Sequence, residues 1–135
     1  MMEYRRNIDW MLTDLNKGVP GIQMIVVLSA DGLRIARQGG DPDTADRVAA
    51  ACAGLQSLAS AISDEIVTSD GEMRMILIEV NGGYFYLMAA GPNAYLAVLS
   101  DIRTEPGMMS SRMRDLVARL GPHLTSPPRR NGKVV

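Results

Sequence analysis

Cysteine occurs once in this chain of 135 residues, as Cys52, and histidine once, as His123. A single thiol excludes an internal disulfide framework and suits a reducing compartment. One thiol and one imidazole also leave a transition-metal site of the usual nitrogen and sulfur type without enough donors. His123 follows Gly121-Pro122 at the edge of a terminal tail, where a solvated imidazole is the simpler reading. No Gly-x4-Gly-Lys-Ser/Thr stretch is present, so the chain has nothing to cradle nucleotide phosphates. No apolar run approaches the roughly 18 residues of a spanning helix, and Met1-Met2-Glu3-Tyr4-Arg5-Arg6 lacks the apolar segment of a signal peptide. These absences predict no catalytic residues, no cofactor, no metal and no small-molecule substrate, in a cytoplasmic protein.

Charge is also scarce in one telling place. Val48–Ser63 contains no charged residue, although 21% of the chain is charged. Asp41 can cap a helix there, Pro42 fits its first position, and Asp43 and Asp46 suit the positive end of its dipole. That role explains the densest acidic cluster without an ion. Val48, Ala51, Cys52, Leu55, Leu58, Ala59 and Ile62 form one apolar stripe at helical spacing, expected to face the core. The opposite side carries Ala45, Ala49, Ala53, Gln56 and Ser60 in one row, and Ala50, Gly54, Ser57 and Ala61 in another. A helix with no charged face is usually buried, so small residues on that side predict a second backbone packed closely against it.

What remains is ordinary for a folded domain. Hydrophobic residues make up 47%, and the length suits one domain that buries about two-thirds of its unfolded surface. Residues 125–135 carry Arg129, Arg130 and Lys133 with no acid and read as a disordered basic tail. The domain itself, residues 1–124, holds eleven basic against fifteen acidic residues, which gives no electrostatic reason to expect nucleic acid.

Along the chain, Ile8, Met11, Leu12, Leu15 and Val19 make the apolar side of a first helix, with Trp10 covering its edge. Gly18 and Pro20-Gly21 end it. Ile22–Leu28, apolar on both faces, turns at Ser29-Ala30-Asp31-Gly32 into a strand at Leu33–Arg37, whose Arg34 and Arg37 discourage edge pairing. After the long helix come three strands, Glu72–Val80, Gly83–Ala90 and Ala94–Ser100, joined by Asn81-Gly82 and Gly91-Pro92-Asn93. Thr104 and Pro106 open a last helix that Gly121-Pro122 should stop. The fold class is therefore α/β, an α/β/α sandwich in the order helix, hairpin, helix, three-strand meander, helix. One five-stranded antiparallel sheet should carry the middle helix on one face and the terminal helices on the other.

Met73, Met75, Ile76, Leu77 and Ile78 belong to a strand that should lie at the sheet edge, because a long helix precedes it. An apolar edge invites pairing with another chain. The uncharged helix and this strand ask for the same thing, a homodimer. Its interface is expected to use Ala49, Ala53, Gln56, Ser57, Ser60, Met73, Met75 and Leu77, with Ala53→Glu as the change that breaks it.

Trp10-Met11-Leu12, Val19-Pro20-Gly21-Ile22, Val26–Leu33, Ala53-Gly54-Leu55-Gln56-Ser57-Leu58-Ala59 and the closing meander together resemble the roadblock / dynein light chain superfamily. More narrowly they resemble its actinobacterial members encoded in conservon-type operons beside a sensor-kinase-like protein and a small GTPase. The match spans Ile8 to Leu120. It implies a profilin-like fold, a homodimer built on the middle helix and third strand, and a non-enzymatic regulator of a Ras-like small GTPase. It also implies a sensor-kinase-like protein as a further partner and peripheral membrane placement through partners. The competing expectation is a PAS-like small-molecule sensor, which shares the sheet and flanking helices but needs a cavity between them.

Overall fold

The computed structural model describes residues 2–124, with side chains from residue 7 onward; the expected basic tail lies outside the described residues. Helix α1 (Met2–Gly18) leads into β1 (Ile22–Ser29) and β2 (Arg34–Gln38). Helix α2 (Pro42–Ser63) follows, then β3 (Met75–Val80), β4 (Gly83–Ala89), β5 (Ala94–Asp101) and α3 (Pro106–Leu124). The strands form one antiparallel sheet in the order β2-β1-β5-β4-β3. The expected α/β/α sandwich is what forms, and β3 is an edge strand.

Period-two alternation along the central strands builds two separate cores. Ile25 and Val27 of β1, Leu96 and Val98 of β5, and Tyr86 and Met88 of β4 point to one face. There they meet Ile8, Leu12 and Leu15 of α1 and Met109, Met113, Leu116 and Leu120 of α3. Met24, Val26, Leu28, Leu87 and Ala97 point to the other face and meet Ala45, Ala49 and Cys52 of α2. Each large side chain buried in the first core contributes about 1.5–3 kcal/mol, so the layer under α1 and α3 dominates the stability of the fold.

The turns follow their residues. Gly82, at φ 97°, lets Asn81-Gly82 close β3 on β4 in a two-residue hairpin, with Val80 opposite Gly83. Asn93 adopts the same left-handed region in the β4–β5 turn, where the Ala90 N–H donates to Ala94 O at 2.9 Å.

Three local expectations are corrected. Helix α3 runs through Gly121-Pro122 to Leu124, because Leu124 packs onto the same core as Leu120 and holds the last turn helical. Strand β3 begins at Met75 rather than Glu72. Gly71, at φ 85°, and the Asp70 carboxylate accepting the Glu72 N–H keep the preceding residues in a turn. Trp10 does not cover an edge; it stands 63% exposed on the outer side of α1.

Candidate interaction surface

Helix α2 is positioned by its first turn. The Asp41 carboxylate accepts the Thr44 N–H at 2.8 Å and the Thr44 hydroxyl at 3.0 Å, and Pro42 occupies the first turn. Those hydrogen bonds hold the Asp41 carboxyl below the usual carboxylate range. One turn on, Arg34 of β2 donates to Asp46 at 2.7 Å, tying the helix to the edge of the sheet.

The direction the helix faces differs from the expectation. Ala45, Ala49, Cys52 and Ser63 are its buried residues, so Ala45 and Ala49 of the small-residue row lie on the sheet beside Cys52, the one member of the apolar stripe that is fully buried as expected. The larger stripe is rotated outward: Ala51, Leu58 and Ile62 are exposed, with Leu58 and Ile62 at 65% and 67%, and Val48 and Leu55 are half-buried. Both rows are uncharged, so apolar periodicity could not choose between them. Rows one residue apart differ by about 100° around the helix axis. Packing chose the small row because α2 lies close over β1 and β2.

The outward stripe, Val48, Ala51, Leu55, Leu58 and Ile62, repeats at spacings of three and four. That is the seam by which two helices pack side by side. Beyond it, Ile66 and Val67 are also exposed.

The residues expected at an interface separate into groups. Ala49 is fully buried against its own sheet and cannot meet another subunit, which corrects that assignment. Ala53 is half-buried toward the β1–β2 turn: a Cβ placed on Gly32 would stand 3.2 Å from its Cβ. A glutamate at Ala53 would therefore strain the subunit's own hairpin. The Gln56 side-chain amide donates to Ser60 Oγ at 3.2 Å, and both are half-buried, while Ser57 is exposed. Met73 packs onto the core under α2, and Met75 onto the core under α3. Leu77 is 45% exposed at the free edge. Leu58 and Ile62, assigned by periodicity to the core, are the outward residues that this reasoning missed, whereas Val48 and Leu55 of the same stripe pack half-buried on it. The legible clue was that an alanine row suits close helix-on-sheet contact better than a leucine row does.

Strand β3, at the sheet edge opposite β2, is a second exposed feature. The Ala89 N–H donates to Arg74 O at 3.0 Å, and the register runs from Met75 opposite Met88 to Val80 opposite Gly83. By antiparallel alternation, Ile76, Ile78 and Val80 turn their backbone groups to β4, and Met75, Leu77 and Glu79 turn theirs to the free edge.

Little here suits covalent chemistry. Burial pushes the Cys52 thiol up to about 11, so it stays neutral near pH 7. Among the described residues, no group of three or more His, Cys, Asp or Glu could hold a metal ion. No helix among them is long and apolar enough to cross a membrane.

Comparison with known proteins agrees with the architecture. The Roadblock/LC7 domain model matches residues 8–100. A Roadblock/LC7 domain from Streptomyces avermitilis is 32% identical and superposes with a TM-score of 0.81, covering 87% of this chain and 98% of its own. A second Streptomyces avermitilis Roadblock/LC7 domain is 36% identical at a TM-score of 0.67, covering 83% and 96%. The gliding protein MglB from Thermus thermophilus shares the fold at 14% identity, with a TM-score of 0.81 and coverage of 89% and 90%. No curated protein matches by sequence. The three-layer order, the edge β3 and the family match together lead to one conclusion: the chain belongs to the Roadblock/LC7 domain family.

Proposed function

We propose that this protein is a non-enzymatic homodimeric platform that binds and regulates a Ras-like small GTPase in a bacterial signalling complex. The observation that carries the reading is the exposed apolar stripe of α2, Ala51, Leu58 and Ile62, in a subunit whose sheet also ends in an apolar edge strand with free backbone groups. A two-fold axis beside β3 would pair the Met75, Leu77 and Glu79 edges of two copies into one ten-stranded sheet. The same axis would seat the two α2 stripes against each other. Both features lose their solvent-exposed apolar surface in that single step.

The joined α2 helices would then offer a broad, weakly charged surface, with Ser57 and the Gln56–Ser60 pair among its polar groups. Such a surface is wide enough for the roughly 800 Å² per partner that a specific complex needs. Its sparse charge favours packing over electrostatic steering, so GTPase affinity should depend only modestly on salt. A sensor-kinase-like protein is the further partner in this reading, and it would bring the complex to the membrane from the cytoplasmic side. The small-molecule sensor reading is weaker, because Ala45, Ala49 and Cys52 bring α2 close to the sheet where a ligand cavity would be needed.

The test is a pull-down with Ras-like GTPases encoded in the same genome, each loaded with GDP or a GTP analogue. Retention of one of them by wild-type protein, and its loss when the dimer is broken through Leu58, supports the platform. A folded monomeric variant that keeps full affinity rules the composite surface out.

A further inference from the structure

Helix α2 turns one row of residues to the sheet: Ala45, Ala49, Cys52, Gln56 and Ser63 recur at spacings of four, three, four and seven. The first three pack on the core beneath them. Gln56 meets open space instead. With Ser60 it borders a cavity of about 340 Å³ between the second half of α2, residues 71–73 and the β4–β5 turn. Ala45, Ala49 and Cys52 close the helix onto the sheet only along its first half, which leaves this room beyond them. A glutamine turned inward is costly unless its polar atoms are bonded. The Gln56 amide donates to Ser60 Oγ, and its carbonyl oxygen has no hydrogen-bond partner among the described residues.

The far wall is Tyr95 of β5, with Glu72 and Met73 at one side. Burial and the nearby Glu72 carboxylate both push the Tyr95 hydroxyl up, so it stays neutral and can donate or accept. The lining holds one acid, Glu72, and no base. Arg74, next but one along the chain, lies outside the lining and makes no ion pair with Glu72. The last turn of α2 carries no basic residue either, so the negative end of the helix dipole is left unbalanced on the same side.

We propose that this cavity binds a small organic cation, an alkylammonium or alkylguanidinium group, with Glu72 as its counter-ion. The carboxylate accepts charge-assisted hydrogen bonds, the Gln56 carbonyl accepts another, and an aromatic ring in the lining favours a cation beside it. The volume lies at the small end of the roughly 300–1,000 Å³ of ligand pockets. None of the lining residues belongs to the outward stripe of α2 or to β3, so the contacts proposed for the dimer do not draw on the cavity. The inference does not rest on the GTPase reading.

The test uses the full chain and agmatine, which carries an ammonium and a guanidinium group, in titration calorimetry with amide shifts mapped by NMR. Agmatine should bind with a Kd of about 1 mM or tighter, about tenfold or more ahead of neutral pentanediol. The shifted amides should fall in residues 56–60, 71–73 and 91–95. E72Q should weaken binding about tenfold or more, whereas E65Q, at an exposed acid outside the lining, should stay within about twofold. Q56L should lose about threefold or more, with circular dichroism unchanged for each variant. A capped Gly-Arg-Gly peptide separates the two sources. Binding equal to that of agmatine assigns the cation to a partner's arginine, and binding of agmatine alone assigns it to a free amine; either supports the site. No binding at about 10 mM, equal binding of the diol, or shifts confined to other residues overturns the proposal. So does an equal loss in E65Q and E72Q, which would reduce the effect to the general negative surface.

Discussion

The two faces of the sheet are built by opposite rules. Under α1 and α3 the core is filled with Leu, Ile, Met and Tyr, and the helices keep their charged residues outside. Under α2 the helix contributes two alanines and a cysteine, with Val48 and Leu55 half-buried at the margin, and its Leu58 and Ile62 stay in solvent. One face spends its large side chains on the subunit's own fold. The other uses small ones to hold the helix down and leaves the large ones for another surface. An apolar residue in a helix therefore does not announce which side it serves; the size of its neighbours does.

Substitutions can break that comparison. Leu116→Ala, in the core under α3, removes a fully buried side chain and should cost about 2–5 kcal/mol in urea denaturation. The same truncation at Leu58 on α2 should leave the stability of an isolated subunit within about 0.5 kcal/mol, because that side chain is mostly in solvent there. Equal losses at the two positions, measured on monomeric protein, would show that the faces are not built differently.

Association should invert the ranking. Leu58→Glu would place two carboxylates in the closely packed junction of a dimer, a cost of several kcal/mol. Light scattering at tens of micromolar, a range in which stable dimers persist, should show wild-type dimer and mutant monomer, with Leu116→Ala still dimeric where it remains folded. A wild-type chain that is monomeric under those conditions defeats the proposed assembly.

Much of the architecture was legible from local chemistry. Asn81-Gly82 forced a hairpin because the turn needs positive φ, and β1 read as covered on both faces because Ile22–Leu28 is almost wholly apolar. The edge position of β3 followed from the long helix before it. The phase of α2 was not legible, since two uncharged rows satisfy the same periodicity and only the sheet beneath distinguishes Ala49 from Leu58. The end of α3 was misread for a similar reason: Pro122 is a local stop signal, but Leu124 packing on the core is a tertiary one.

A smaller effect sharpens the account of the α1/α3 face. The Tyr86 hydroxyl and Ser100 Oγ are buried near each other but outside good hydrogen-bond geometry, with no other partner among the described residues. An orphaned hydroxyl contributes desolvation cost without compensation, so Tyr86→Phe should be neutral or stabilise by up to about 1 kcal/mol. A loss of more than about 2 kcal/mol would mean that the hydroxyl has a strong partner, such as an ordered water.

The smallest expected effect belongs to the cap of α2, and its pH dependence carries a definite sign. Asp41 is fully exposed, and the hydrogen bonds from Thr44 lower its folded-state carboxyl pKa relative to the unfolded chain. A depressed carboxylate stabilises the fold fully above its unfolded pKa, and that contribution is lost as pH falls through the folded value. The melting temperature of Asp41→Ala should therefore lie slightly below wild type at pH 7, and the gap should narrow below about pH 4. Asp41→Asn keeps a side-chain oxygen for the Thr44 N–H but carries no charge, so it should sit between the two at pH 7 with a flatter response to acid. A gap between wild type and Asp41→Ala that widens on acidification would contradict the capping role. The charged cap would then not be what anchors α2 in the orientation that sends Leu58 and Ile62 outward.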